Sequence, residues 1–509
     1  MKKHAKLGIQ VLLFLGILLF LTRFAPLLPF DGDDWRYIGG FRQPIPLWGA
    51  WNPTRILPEV LMPLGGSIAA FIVYPISKDY VGSLAFTESL IEAIFIFAML
   101  YYFYKVLIKR FLLSEKLAVA CEIICFLSFF LLFKKFNQSS YTGFWAADLA
   151  CVFYYIVPGL LNILIVLYML QFKFFNTDFN RFNNLRKGIF IFLLYFAIFS
   201  NTQLNIIIAT FSFAKLVQII YRKVKGYEGN LLKDSWLYLL ILIFWILTVI
   251  FDLNGQRAQD VSSSNKGTFL HNLGMTVKQF IYFIKQQNTF ILILSLLIIM
   301  VTLIMIAVVN NNLKLSRDFL KVISCMIFCS LTSLMYLLLA YTKAGSSYAG
   351  RPDSMWAVTT FFILALNFSI AYCVMTIKWI KPFLPLGIII GAVFSFNTNE
   401  RPIYAANTMH DPVTIKRIDN YIINQIVAAD SQGKARVIVK VPLEDKNASS
   451  KVTTSNWPHP YNMAVWMQNT LYSHRIIRTR IHVIFKPDSK VNEEFYENAS
   501  EQQAFFPPE

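Results

Sequence analysis

The sequence predicts an all-α protein that crosses a membrane many times and ends in a small α/β segment. Three observations predict this. Of 509 residues, 56% are hydrophobic and 16% aromatic against 15% charged, far more apolar than a soluble chain. The apolar residues come in runs long enough to span hydrocarbon, which takes roughly 20 residues per helix. The Lys and Arg residues behind a net charge of +18 lie in short loops between those runs. They obey the positive-inside rule and form no single basic face, which argues against nucleic acid as the partner.

Lys2, Lys3, His4 and Lys6 precede the first apolar run, 7–28. That run is too long for a signal-peptide core and no small-x-small site follows it, so it reads as an uncleaved helix with a cytoplasmic N-terminus. From 31 to 80 the chain is rich in Pro and Trp, which favours interfacial segments. The stretch 56–75 is apolar enough for a span, but Pro58, Pro63 and the Gly65-Gly66 pair are expected to break it, leaving it in the interface. Further spans are expected at 84–106, 117–133, 149–172, a pair over 188–221 turning at 200–203, then 236–251, 290–309, 322–342, 355–377 and 383–396. With the first helix that makes about 11.

The loops this arrangement puts inside are short and basic: Lys109, Arg110 and Lys116; Lys173, Arg181, Arg186 and Lys187; Arg222, Lys223, Lys225 and Lys233; Lys314, Arg317 and Lys321; Lys378 and Lys381. An odd number of spans places everything after 396 outside. The chain therefore divides into a multi-spanning part, 1–396, with a long first outer loop at 30–83, and an outer α/β domain, 397–509. In the latter a helix is expected over 411–429 with Asp411 as cap, strands at 436–441 and 480–485, and a helix near 461–471. The six cysteines fall in or beside apolar runs and imply no disulfide framework. Cys121/Cys125 and Cys325/Cys329 read as small buried side chains.

The candidate chemistry starts at 30–36, Phe-Asp-Gly-Asp-Asp-Trp-Arg. Carboxylates at a helix exit stay out of hydrocarbon, so Asp31, Asp33 and Asp34 sit just outside the bilayer. The sequence holds no P-loop or Rossmann fingerprint, and no inside loop exceeds roughly 15 residues, too few for a nucleotide-binding domain. An activated group must then be brought by something other than a soluble nucleotide, and a lipid-linked donor fits. A carboxylate that takes a proton from an acceptor hydroxyl, with cations that stabilise a departing lipid phosphate, would suffice for sugar transfer. Asp33 and Asp34, with Asp31 beside them, are the candidate catalytic residues. Arg351, Lys343, Arg257 and Arg55 are the candidate phosphate ligands, and Glu88, Glu92 and Glu59 the candidate cavity-lining acids. Asp31-Gly-Asp33 also has the form of a short chelating pair, so a divalent cation stays open. Trp35, Trp48 and Trp51 read as interfacial anchors, and His459 and His474 as surface residues.

This plan resembles the GT-C glycosyltransferase superfamily, and within it the bacterial serotype-converting O-antigen glucosyltransferases. The resemblance rests on Asp31-Gly-Asp33-Asp34-Trp35 after the first helix, on the many spans and on the outer tail. It implies an inner-membrane, inverting enzyme that moves glucose from undecaprenyl phosphate to O-antigen, with Asp33 or Asp34 as base. Acceptor-recognising residues do not carry over, because no second motif matches. Two rivals remain: a transporter or flippase of lipid-linked glycans, and a GT-C enzyme acting on lipid A, a cell-wall polymer or protein. The transporter is disfavoured because no carboxylate or Lys is read near the middle of a span; Glu122 falls near an inner end and Asp148 near an outer one.

Overall fold

The computed structural model describes residues 3–135, 141–146, 148–172, 175–226, 230–264, 267–308, 313–397, 412–442 and 463–495. His459, Asp411 and the sequon at Asn447 lie outside these residues. The first helix, α1 (Lys3–Leu19), runs on through a π-turn at Phe20–Phe24. It delivers the chain to α2 (Gly32–Gly39), the acidic helix.

The next helix, α3 (Ile56–Ser77), is continuous. The expected break at its prolines and glycines does not occur. Pro58 lies in the first turn, where its missing N–H has no helical partner, and Pro63 is carried inside. A π-turn at Ala69–Val73 absorbs the irregularity. The glycines are sites of close approach: a Cβ on Gly65 would collide with the Glu88 carboxylate, and one on Gly66 with Ile38 and His474. Each end of α3 is tied to another part of the chain. Ile56 N donates to Phe199 O at 3.0 Å, and Asp79, just past the other end, pairs with Lys416 in the tail.

The remaining long helices are α4 (Tyr80–Lys109), α5 (Glu115–Leu131), α6 (Leu149–Leu170), α7 (Asn184–Ile198), α8 (Ile206–Val224) and α9 (Leu231–Leu253). After them come α10 (Phe269–Gln286), α11 (Thr289–Val308), α12 (Leu313–Ala344), α13 (Trp356–Thr376) and α14 (Leu384–Phe396). Among the described residues nine helices are long and apolar enough to cross a membrane. They include α3 and leave out α2, α5 and α7, which are short, and α8 and α10, which carry charged and polar residues such as Lys215, Arg222, Lys278 and Lys285. The α6 helix is 94% buried and central, whereas α11, apolar throughout, is only 22% buried. Apolar surface of that extent left open to the outside belongs in a bilayer, and the chain is an all-α membrane protein.

The tail contains α15 (Pro412–Ser431), β1 (Arg436–Val441), α16 (Met463–Ser473) and β2 (His482–Pro487). The two strands pair in parallel, with Val439 opposite Phe485, a pairing that requires a crossover such as the one containing α16. This segment docks on the acidic helix. Thr470 Oγ1 donates to Trp35 O, Ser473 Oγ donates to Gly39 O at 3.2 Å, and the Arg36 guanidinium stacks 4.8 Å from the Trp466 ring.

Candidate functional site

Asp31 is the N-cap of α2, and its carboxylate accepts from Asp33 N at 2.5 Å. Asp34 completes a capping box: its Oδ2 accepts from Phe30 N at 2.8 Å and Asp31 N at 3.1 Å. Its Oδ1 accepts from Ala150 N at 2.6 Å, one of the free amides in the first turn of α6. A single carboxylate thus ties the heads of two helices. Asp34 is fully buried, and burial pushes its carboxyl well above the usual range, helped by Asp31 and Asp148 and opposed by the amides of Ala150 and Phe30. Asp33, its neighbour, is exposed. Of the three candidate acids it alone has an open approach.

The next residue of α6, Cys151, receives a hydrogen bond at 3.3 Å from Arg351 Nη2. Arg351 also pairs with Asp353 at 2.5 Å and lies over the rings of Tyr155 and Tyr348, at 5.3 and 5.6 Å. Arg257 donates to Tyr348 OH at 2.7 Å, and Arg55 lies 5.0 Å over Tyr154. Burial alone would lower the Arg55 guanidinium; the fields of Tyr155, Tyr154, Asp252 and Tyr348 reverse this and raise it. Among the described residues Arg55 has no ion-pair or hydrogen-bond partner. Three of the four candidate phosphate ligands therefore converge on Tyr154, Tyr155 and Tyr348. The fourth, Lys343, is exposed in the last turn of α12.

Glu59 belongs to a brace in the first loop. Its Oε2 pairs with Arg42 at 3.1 Å, and its Oε1 accepts from Asn52 Nδ2 at 3.0 Å and Tyr154 OH at 2.8 Å. Glu88 and Glu92 are the opposite case: both are fully buried in α4, and none of their four oxygens has a hydrogen-bond partner among the described residues. Asp419 in α15 shares this state, and burial drives its carboxyl well up, reinforced by Asp34.

Three sequence expectations need correction. Trp35 is no interfacial anchor, since it is fully buried beneath the tail; Trp48 and Trp51 are exposed. His474 is no surface residue: it is 4% exposed and hydrogen-bonded to Tyr80 OH at 2.7 Å, and burial lowers its imidazole to about 4. Ionisable groups do occur near the middle of long helices: Glu92 lies near the centre of α4, which is long and apolar enough to cross a membrane, and Lys215 halfway along α8. Asp252, which the sequence marks only as a carboxylate at the end of an apolar run, also belongs to the site's framework. It accepts from Thr54 Oγ1 at 2.6 Å and Thr202 Oγ1 at 2.7 Å, joining the first loop to the turn between α7 and α8.

Asp31 is turned back onto its own helix as a cap, Asp34 is consumed by three amides, and among the described residues no three His, Cys, Asp or Glu side chains are grouped to hold a metal ion. Comparison with protein-family models, with curated proteins and with solved structures finds no match to this chain.

Proposed function

We propose that the chain transfers a hexose from a polyprenyl-phosphate donor to a glycan acceptor on the outer face of a bacterial inner membrane. The observation that carries this reading is the junction at the head of α6. Asp34 holds Ala150 and Arg351 holds the adjacent Cys151, so the acidic helix and the arginine cluster are fixed to consecutive residues of one rigid element. In this reading Asp33 takes the proton of the acceptor hydroxyl as its oxygen attacks the anomeric carbon. The bond from that carbon to the phosphate oxygen breaks, and the electron pair leaves on the lipid phosphate. Arg55, Arg257 and Arg351 stabilise that charge, and no proton is needed on the leaving group. Asp34 is a positioning residue. The membrane part then has its N-terminus inside and the α/β tail outside, with α3 lying along the outer interface. O-antigen is the acceptor we favour, with lipid A or a cell-wall polymer as the alternatives.

A transporter of lipid-linked glycans is the second reading. Glu92 and Lys215, both within helices, favour it. The discriminating experiment is mass and linkage analysis of surface polysaccharide and lipid A from cells carrying wild type, Asp33→Asn or Arg351→Gln at matched membrane levels. Transfer predicts an added hexose with wild type that is lost in Asp33→Asn and reduced roughly tenfold in Arg351→Gln. A wild-type chain that adds no sugar to any fraction, with donor lipid present, contradicts it.

A further inference from the structure

The acidic helix carries a cation that the transfer step leaves unused. Arg36 follows Asp33 by three residues, so the two side chains stand one turn apart on α2, with roughly 5–6 Å between their Cβ atoms. An acid and a cation in that relation commonly pair. Here they do not: among the described residues neither the Asp33 carboxylate nor the Arg36 guanidinium has an ion-pair or hydrogen-bond partner.

Aromatic rings hold Arg36 instead. Its guanidinium lies 5.1 Å from the centre of the Tyr37 ring and 4.8 Å from that of Trp466 in α16. Both rings are themselves fixed. The Tyr37 hydroxyl accepts from Asn52 Nδ2 at 3.3 Å and its ring meets Tyr154 edge-on at 5.1 Å, while Thr470 and Ser473, further along α16, are bonded to the backbone of α2. The attraction of a ring face for a guanidinium uses none of its N–H groups, so the donors of Arg36 stay free. Arg36 is half-buried and Asp33 exposed, and both can be reached from outside. The same rings lead to the donor side: Tyr154 is the ring over which Arg55 lies at 5.0 Å. Ring contacts of 5.0–5.1 Å thus run from Arg36 through Tyr37 and Tyr154 to Arg55, with Asp33 at the Arg36 end.

We propose that Arg36 binds an oxyanion on the acceptor glycan, a sugar carboxylate or a sugar phosphate, and so brings the acceptor hydroxyl to Asp33. The role of Asp33 rests on the transfer reading, whereas the anion site does not. A planar guanidinium with free donors grips a carboxylate or phosphate through two parallel N–H···O bonds. A neutral sugar would leave the charge of Arg36 unmatched. The docked tail gains a function in this arrangement, since Trp466 supplies one of the two rings that aim the cation.

The test uses the purified full chain as wild type, Arg36→Gln and Arg36→Lys, with trisaccharide probes of one backbone: a hexuronate form, its carboxyl-reduced neutral form and a hexose-phosphate form. Binding is followed by native mass spectrometry, and hydrogen exchange of α16 checks that the tail stays docked. The wild type is expected to bind at least one charged probe roughly tenfold more tightly than the neutral one, and the tighter of the two names the oxyanion. Arg36→Gln should lose that preference while binding the neutral probe as before. Arg36→Lys, which keeps the charge without the planar fork, should retain part of it. Equal binding of all probes by the wild type, or a preference that survives Arg36→Gln, overturns the site. A wild type that shows the preference but transfers no hexose would support the anion site and overturn the transfer reading.

Discussion

Buried carboxylates in the acidic turn and in the middle of α4 meet opposite fates. Asp34 is fully buried and accepts three backbone hydrogen bonds. Glu88 and Glu92 are equally buried and accept none among the described residues. The first arrangement offsets desolvation with amides that helix starts leave unsatisfied, and so converts a charge into a fastener. The second offsets nothing, so stability does not explain why those glutamates are present. Polar groups at the same depth thus divide into those that build the site and those retained at a cost to the fold.

Four substitutions or conditions break or sharpen that contrast. The largest effect belongs to Asp34→Ala, which strands the amides of Phe30, Asp31 and Ala150 and should cost about 3–5 kcal/mol. A thermal melt in detergent, with membrane abundance as a second readout, checks this. Gly65→Ala comes next. Its new methyl collides with the Glu88 carboxylate and should destabilise by about 1–3 kcal/mol. Most of that should be recovered in the double variant with Glu88→Ala, and a purely additive pair would show that Glu88 does not pack there. Glu92→Leu should be neutral or stabilising by about 1 kcal/mol, the reverse of Asp34→Ala, and loss of the same size as Asp34→Ala would erase the contrast.

The remaining effect is one of pH. The folded imidazole of His474 is lowered to about 4, below its unfolded value near 6.5. Its contribution is therefore complete above the unfolded value and is lost as pH falls from about 6.5 towards 4, by at most about 1.4 kcal/mol per unit. Asp419 acts with the opposite sign, since its raised carboxyl favours the fold at low pH and loses that contribution as pH rises. His474→Asn should flatten the acid limb of tail undocking, followed by hydrogen exchange of α16. An unchanged limb would show that another group controls it.

The sequence shows local regularities and hides long-range partnerships. The strand at Arg436–Val441 occupies the expected residues, because alternation of apolar and polar side chains is a local signal. The cations Arg55, Arg257 and Arg351 stood out one by one as basic residues outside the inner loops, but their convergence on Tyr154, Tyr155 and Tyr348 depends on how distant helices pack. That Asp34 is a fastener was invisible, since its partner Ala150 is 116 residues away. Tertiary contact also explains α3, whose Pro63 would end an isolated helix; here Gly65 and Gly66 seat it against α4 and the tail. Lys215 sits inside an apolar run whose periodicity masks one charge.

In the proposed transfer from a polyprenyl-phosphate sugar, exposed Asp33 is the base and buried Asp34 is not. The most direct measurement is release of polyprenyl phosphate by the purified chain, given polyprenyl-phosphate hexose and acceptor glycan, for wild type and Asp33→Asn of equal thermal stability. Turnover is expected in the wild type, with a loss of at least about 100-fold in Asp33→Asn and donor binding unchanged. Full turnover in Asp33→Asn would contradict it.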